Sequence, residues 1–224
     1  MIKSSSHFLA GVRAVLPLLL GVAPFGMIYG VLAVTAGIPP LLAQAMSAVV
    51  FAGSAQFVTA QMVSGGLPYP VIVMTAVVLN LRHALYSASV APYLKPLRPA
   101  WRWALAYLLT DEAYAVAIIR YRRDPLGGEW YFLGVGLGLW ACWQVTTAIG
   151  VLLGAQVPAA WQLDFTLPLT FIAIIVPTLT DRAVLAAAVI AGLVAVALVG
   201  LPFKLGLVVA MLAGIGVGLV LERP

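Results

Sequence analysis

"WRWALAYLLTDEAYAVAIIR", residues Trp101–Arg120, is apolar enough to enter a bilayer, yet it is basic at both ends and holds Asp111 and Glu112 in its middle. A helix that crosses once tends to keep its lysines and arginines on the cytoplasmic side. The segment therefore reads in one of two ways: as a full crossing with cations on both faces, or as a re-entrant hairpin whose two basic ends share one face. The first gives eight crossings and the second an odd number, and the sequence leaves both open. With eight crossings and a cytoplasmic start, Lys3, Arg13, Arg120, Arg122, Arg123, Arg182 and Arg223 lie inside, whereas Lys95, Arg98, Arg102 and Lys204 lie outside. That is an imperfect positive-inside bias.

The rest of the chain is of the same kind. Of its 224 residues 63% are hydrophobic and only 8% charged, against about a quarter charged in a soluble domain. A hydrocarbon core about 30 Å thick needs about 20 apolar residues per helix. Such runs fall near 14–37, 42–63, 71–92, 103–120, 130–153, 166–180, 183–200 and 204–221. The expected fold is an all-α polytopic membrane protein of about seven or eight spans, forming one integral membrane domain over 1–224. Helix breakers interrupt several spans: Pro17 and Pro24 in the first, Gly53 in the second, Pro168 and Pro177 in the sixth. Broken or re-entrant helices expose backbone at membrane depth and are how transporters build binding sites. Pairing a broken span with a following intact one, second with third and sixth with seventh, points to an inverted repeat.

The first apolar run exceeds the 7 to 15 residues of a signal-peptide core, so a retained helix is expected. The net charge of +5 sits in short loops between apolar runs, which reads as topology and lipid contact rather than nucleic-acid binding. The single Cys142 excludes an internal disulfide and multi-cysteine metal sites. No phosphate loop, zinc helix or nucleophile elbow occurs, and "GVGLGLW" lacks the last glycine of a dinucleotide fingerprint. No cofactor or metal is expected. Gly134 with Gly138, and Gly214 with Gly218, have the spacing of close helix contacts.

Polar residues inside the apolar runs mark the chemistry. "LNLRHALYSAS", Leu79–Ser89, places Asn80, His83 and Ser87 on one helix face and Arg82, Tyr86 and Ser89 on the next. A cation at the bilayer centre costs at least about 2.5 kcal/mol, so it ordinarily faces a bundle interior or cavity. The alternative is a shorter span with Arg82 snorkelling to an interface. In "QAMSAVVFAGSAQFVTAQMVSGG", Gln44, Ser47, Ser54 and Gln61 share a stripe while Gln56 and Thr59 lie off it. Such residues serve either a ligand or helix–helix contact. Burial and a neighbouring carboxylate both favour a protonated carboxyl, which makes Asp111 and Glu112 candidates for proton coupling, unless the pair caps a helix or pairs with Arg82.

"FAGSAQFVTAQMVSGG", "VLNLRHALYSASVAPYL" and "LLTDEAYAV", in this order, resemble the AzlC family, the large subunit of bacterial two-component branched-chain amino acid exporters of the YgaZ and BrnF type. The similarity runs from about Val12 to Ala117 and continues loosely through "IIVPTLTDRA". The motif positions it covers are Gly53, Ser54, Gln56 and Phe57, then Asn80, Arg82, His83 and Tyr86, then Asp111 and Glu112. The resemblance implies efflux of valine, leucine, isoleucine and sometimes methionine across the inner membrane, driven by the proton motive force with a small hydrophobic AzlD-type subunit.

A branched-chain amino acid is a zwitterion with an apolar branch. The expected substrate-binding residues are Gly53, Ser54, Gln56, Asn80, Arg82 and Trp140, with Arg82 and the "AGS" backbone toward the carboxylate. Asp111, Glu112 and His83 are expected to couple protons. Phe51 and Phe57 are expected to bound the side-chain pocket with Trp140. A channel-like or structural subunit, a lipid-modifying enzyme using His83 with Asp111, and a carrier of another small amphipathic metabolite remain as alternatives.

Overall fold

The computed structural model describes residues 4–154, 179, 181–201 and 205–221. The chain forms two compact units, Met1–Trp161 and Gln162–Pro224. The first is organised on two long apolar helices, α1 (Ser4–Thr35) and a later helix, Gly128–Gly154, called α8 below. Both are long enough to cross a membrane.

These two helices lie side by side and parallel. A Cβ at Gly11 would strike the Tyr131 carbonyl, one at Gly26 the Thr146 hydroxyl and one at Gly30 the Thr147 carbonyl. From the other side, Gly134 faces the Phe8 carbonyl and Gly150 that of Met27. Partner numbers rise together, so the pair serves as a ruler for depth. Contact at backbone distance requires small residues in membranes, where dispersion replaces the hydrophobic effect. Pro17 and Pro24 do not break α1, contrary to expectation: the helix continues through both, as neighbouring helices permit in membrane proteins.

Between the two lie three pairs of short helices. They are α2 (Pro40–Val49) with α3 (Gly53–Ser64), α4 (Tyr69–Asn80) with α5 (Arg82–Leu94), and α6 (Pro99–Tyr107) with α7 (Asp111–Arg123). At 1.5 Å per residue, helices of this length span about 14–20 Å, half of a hydrocarbon core. Their contacts fix their directions. Trp101 packs on Trp130, Tyr107 reaches Trp140, and Tyr121 returns to Phe132 and Gly128. Thus α6 climbs from the start of α8 to its middle and α7 descends again. The fourth predicted span is a re-entrant hairpin. Tyr93, near the end of α5, stacks on Tyr121, so α4–α5 runs down to that same end and crosses the unit. It follows that α4 starts at the opposite end, and α2–α3 is a second hairpin that enters and leaves there. Gly53, near its tip, lies against Trp143 at mid-depth.

Two expectations are thereby corrected. The second span does not cross; its three-residue break at 50–52 turns the chain back. The third span, read as intact, is interrupted at Leu81. Within the first unit, α1 followed by hairpin α2–α3 and α4–α5 followed by hairpin α6–α7 share one pattern entered from opposite ends, each hairpin opening with proline in its first helical turn; the expected pairing of the sixth span with the seventh lies outside the described residues.

This topology removes the charge conflict. Arg13, Lys95, Arg98, Arg102, Arg120, Arg122 and Arg123 all lie toward the end where α1 and α8 begin, while the turns at 36–39 and 65–68 carry no charge. The basic end is cytoplasmic by the positive-inside rule, so Lys95, Arg98 and Arg102 lie inside, not outside as eight crossings would require.

In the second unit, Asp181 caps α9 (Arg182–Ala197), accepting from the Val184 amide at 2.9 Å. Gly214 and Gly218 of α10 (Leu205–Leu221) face Ala187 and Ala191 of α9. The predicted sixth span, with Pro168 and Pro177, lies outside the described residues.

Candidate functional site

The tips of the two hairpins meet at mid-depth, beside the break in α4–α5. Three helices end there, α2 at Val49, α4 at Asn80 and α6 at Tyr107, and three begin there, α3 at Gly53, α5 at Arg82 and α7 at Asp111. Each start leaves amide N–H groups outside the helical ladder and carries partial positive charge; each end presents carbonyls and partial negative charge. The break also explains why the stripe of Gln44, Ser47, Ser54 and Gln61 divides. Gln44 and Ser47 face α8, bonding Gln144 at 2.8 Å and Thr147 at 3.1 Å, whereas Ser54 turns to the centre.

Arg82 is the hub. Its guanidinium donates to Ser54 Oγ at 2.7 Å and pairs with Asp111 at 2.5 Å, linking both hairpins through the crossing helix. About a third of each charged side chain remains accessible, 33% for Arg82 and 38% for Asp111, so the pair borders open space. Several buried polar atoms around it make no hydrogen bond among the described residues: Arg82 Nε, Asp111 Oδ1 and Asn80 Oδ1. Buried polar groups ordinarily have partners, so the cluster has spare valence of both signs. Gln56 is fully buried. Its amide lies beside the Tyr29 hydroxyl but neither end makes a well-formed hydrogen bond among the described residues, and Tyr29 donates to the Ala43 carbonyl at 2.9 Å.

The remaining predicted residues are placed as follows. Thr110 caps α7 by accepting from the Ala113 amide at 3.3 Å, which fixes Asp111 and Glu112 in its first turn; Glu112 is half-buried. His83 does not join Asp111: its Nδ1 lies 3.2 Å from the Asn80 carbonyl and its ring meets Tyr86 edge-on. Trp140 donates to the Tyr107 hydroxyl at 2.7 Å, and Tyr107 in turn donates to the Ala48 carbonyl at the end of α2. Phe51 packs beside Tyr107, and Phe57 against Phe25 and Tyr29. Two partners lie outside the site residues expected from sequence. Trp143, one turn from Trp140, is the ring that covers Gly53 and stacks on Tyr29. Tyr107 ties the two tips together, a role visible only once both hairpins are known to end at one depth.

A polytopic helical membrane protein with opposed half-helices around a mid-depth ion pair has the build of a secondary transporter. Comparison with known proteins identifies the kind. The AzlC protein family model matches residues 17–157, and this chain belongs to the AzlC family. It is 32% identical over 95% of its length to an uncharacterized membrane protein of Archaeoglobus fulgidus, covering 94% of that protein. It is also 27% identical over 96% of its length to the inner membrane protein YgaZ of Escherichia coli, covering 89% of that chain. A match of 26% identity joins 93% of the chain to 83% of the branched-chain amino acid transport protein AzlC of Bacillus subtilis. No solved structure matches.

Proposed function

We propose that this protein exports valine, leucine, isoleucine and methionine across the bacterial inner membrane in exchange for protons, with both compact units working as one transport domain alongside a small AzlD-type subunit. The observation that carries this reading is the convergence of three helix starts and Arg82 opposite Asp111 at mid-depth. The Bacillus subtilis relative is named for branched-chain amino acid transport and YgaZ for the inner membrane, which supports the substrate class and the location.

A zwitterion satisfies such a site by entering the Arg82–Asp111 pair. Its carboxylate takes the guanidinium, the Ser54 hydroxyl and the first amides of α3. Its ammonium takes Asp111 and the carbonyl end of α4, with Asn80 adjacent, and Gln56, two residues after Ser54, completes the polar set of α3. Phe51, Phe57 and the tryptophans of α8 offer the branched side chain an apolar wall. One ionic contact is replaced by two, so no charge is left unpaired at depth. Asp111 then holds either a proton or the substrate ammonium. That competition couples inward proton movement to outward substrate movement, with Glu112, next to it in the first turn of α7, and His83, on the far side of Tyr86, as secondary proton acceptors.

The test is accumulation of labelled valine, leucine, isoleucine and alanine in cells lacking native exporters. The chain is expressed alone, with the small subunit, and after collapse of the proton gradient. Internal branched-chain amino acids fall on expression and recover on uncoupling. No change in any of the four, with membrane insertion verified and the partner present, rejects the substrate assignment.

A further inference from the structure

The α1–α8 interface closes on glycine, whereas the α5–α7 interface closes on hydroxyls. Tyr86 lies beside Asp111 and stacks on Tyr114, ring centres 4.7 Å apart. The Tyr114 hydroxyl meets Ser89 Oγ at 2.9 Å. Farther down, Tyr93 stacks on Tyr121 at 4.8 Å. Tyr121 is only 4% exposed, and its buried hydroxyl makes no hydrogen bond among the described residues.

Phenylalanine would stack in the same places. Burying a hydroxyl without a partner costs about 1–3 kcal/mol, so packing alone gives no reason for the Tyr121 hydroxyl, and those of Tyr86, Ser89, Tyr93 and Tyr114 sit on partly accessible residues along the same interface. Their order gives a reason. From Asp111 at mid-depth, the hydroxyls follow each other along α5 and α7 to the cytoplasmic end, where Arg120 and Glu129 flank Tyr121. Arg82, Asp111 and Glu112 stand at the inner end.

We propose that Tyr86, Tyr114, Ser89, Tyr93 and Tyr121 form the proton route between Asp111 and the cytoplasm; this rests on the proton-coupled reading above. A hydroxyl both donates and accepts, so each group takes a proton on one side and releases its own on the other. Water joins hydroxyls that do not touch. The proton leaving the Asp111 carboxyl is matched by one delivered at the cytoplasmic end, and no side chain of the column changes its net protonation.

The experiment compares Tyr114→Phe, Ser89→Ala and the double variant with the unmodified protein, purified with its small subunit into proteoliposomes holding a pH-sensitive dye. Valine–valine counterflow moves no net protons and reports the substrate site; valine-driven dye response reports proton release. Counterflow stays close to that of the unmodified protein, while proton flux in the double variant falls by about tenfold or more, as loss of positioned proton-transfer groups predicts. Full proton flux with counterflow retained overturns the route. A parallel fall in both readouts also overturns it, because the residues would then serve packing. Absence of counterflow in the unmodified protein instead rejects the transport reading on which the route rests.

Discussion

Replacing Arg82 tests the site at its hub. In the present state the guanidinium makes two short contacts, to Ser54 Oγ at 2.7 Å and Asp111 at 2.5 Å. A substrate carboxylate that takes over this guanidinium gains charge-assisted hydrogen bonds worth about 1.5–3 kcal/mol each. With 33% of the side chain accessible, solvent screening argues for the lower figure. Two such bonds amount to about 3 kcal/mol, or about a hundredfold in affinity. Arg82→Ala therefore weakens valine binding by about two orders of magnitude. Arg82→Lys restores the charge but not the fork that reaches two partners, and recovers about half of that energy. Arg82→Ala also leaves the Asp111 carboxylate uncompensated at depth, a cost of at least about 2.5 kcal/mol. Arg82→Ala with Asp111→Asn removes that burden, so the double variant regains thermal stability without regaining affinity. Equilibrium binding of labelled valine to purified protein, alongside thermal unfolding, reads both effects. A folded Arg82→Ala protein that binds valine as tightly as the unmodified chain refutes the assignment.

Two further outcomes follow from the fold. After Cys142→Ala, a cysteine at Ser64 reacts with an impermeant maleimide from outside the cell, and one at Ala100 reacts only after permeabilisation. If α2–α3 and α6–α7 were crossings, the pattern would be reversed. In the helix pair, Gly30→Ala lowers the unfolding temperature, because its Cβ meets the Thr147 carbonyl and the Val151 amide. Gly21→Ala, with open space around it, is neutral or stabilising by up to about 1 kcal/mol through helix propensity; equal losses at both positions would contradict the packing described.

How much of this was legible in the sequence depended on where charge marked the chain. The hairpin at Trp101–Arg120 announced itself because its ends are basic and its middle acidic. The hairpin α2–α3 did not, because its ends, "GIPP" and "SGG", carry no charge to report their side; only Gly53 marked its tip. Arg82, Ser54 and Asp111 were each visible as polar groups in apolar runs. The pairing of Asp111 with Arg82 was one of the alternatives the sequence offered, and it is the one found; that Ser54 joins them required knowing that three chain breaks share one depth. Pro17 and Pro24 misled because neighbouring helices sustain a proline-containing helix in a membrane. Gly134 and Gly138 indicated close contact, but not that the partner was a parallel helix more than a hundred residues earlier. Trp140 and Trp143 were indistinguishable by composition, and which of them covers Gly53 was set by helix rotation.

The central claim is that opposed hairpins hold a site with two charged poles, and it is met most directly by counterflow in proteoliposomes with three labelled solutes sharing one side chain. These are leucine, its 2-oxo acid, which keeps only the carboxylate, and its decarboxylated amine, which keeps only the ammonium. Leucine exchanges and neither single-charge analogue does, because either leaves Arg82 or Asp111 unpaired. Transport of the oxo acid or the amine at the rate of leucine would contradict a site that works by splitting the Arg82–Asp111 pair.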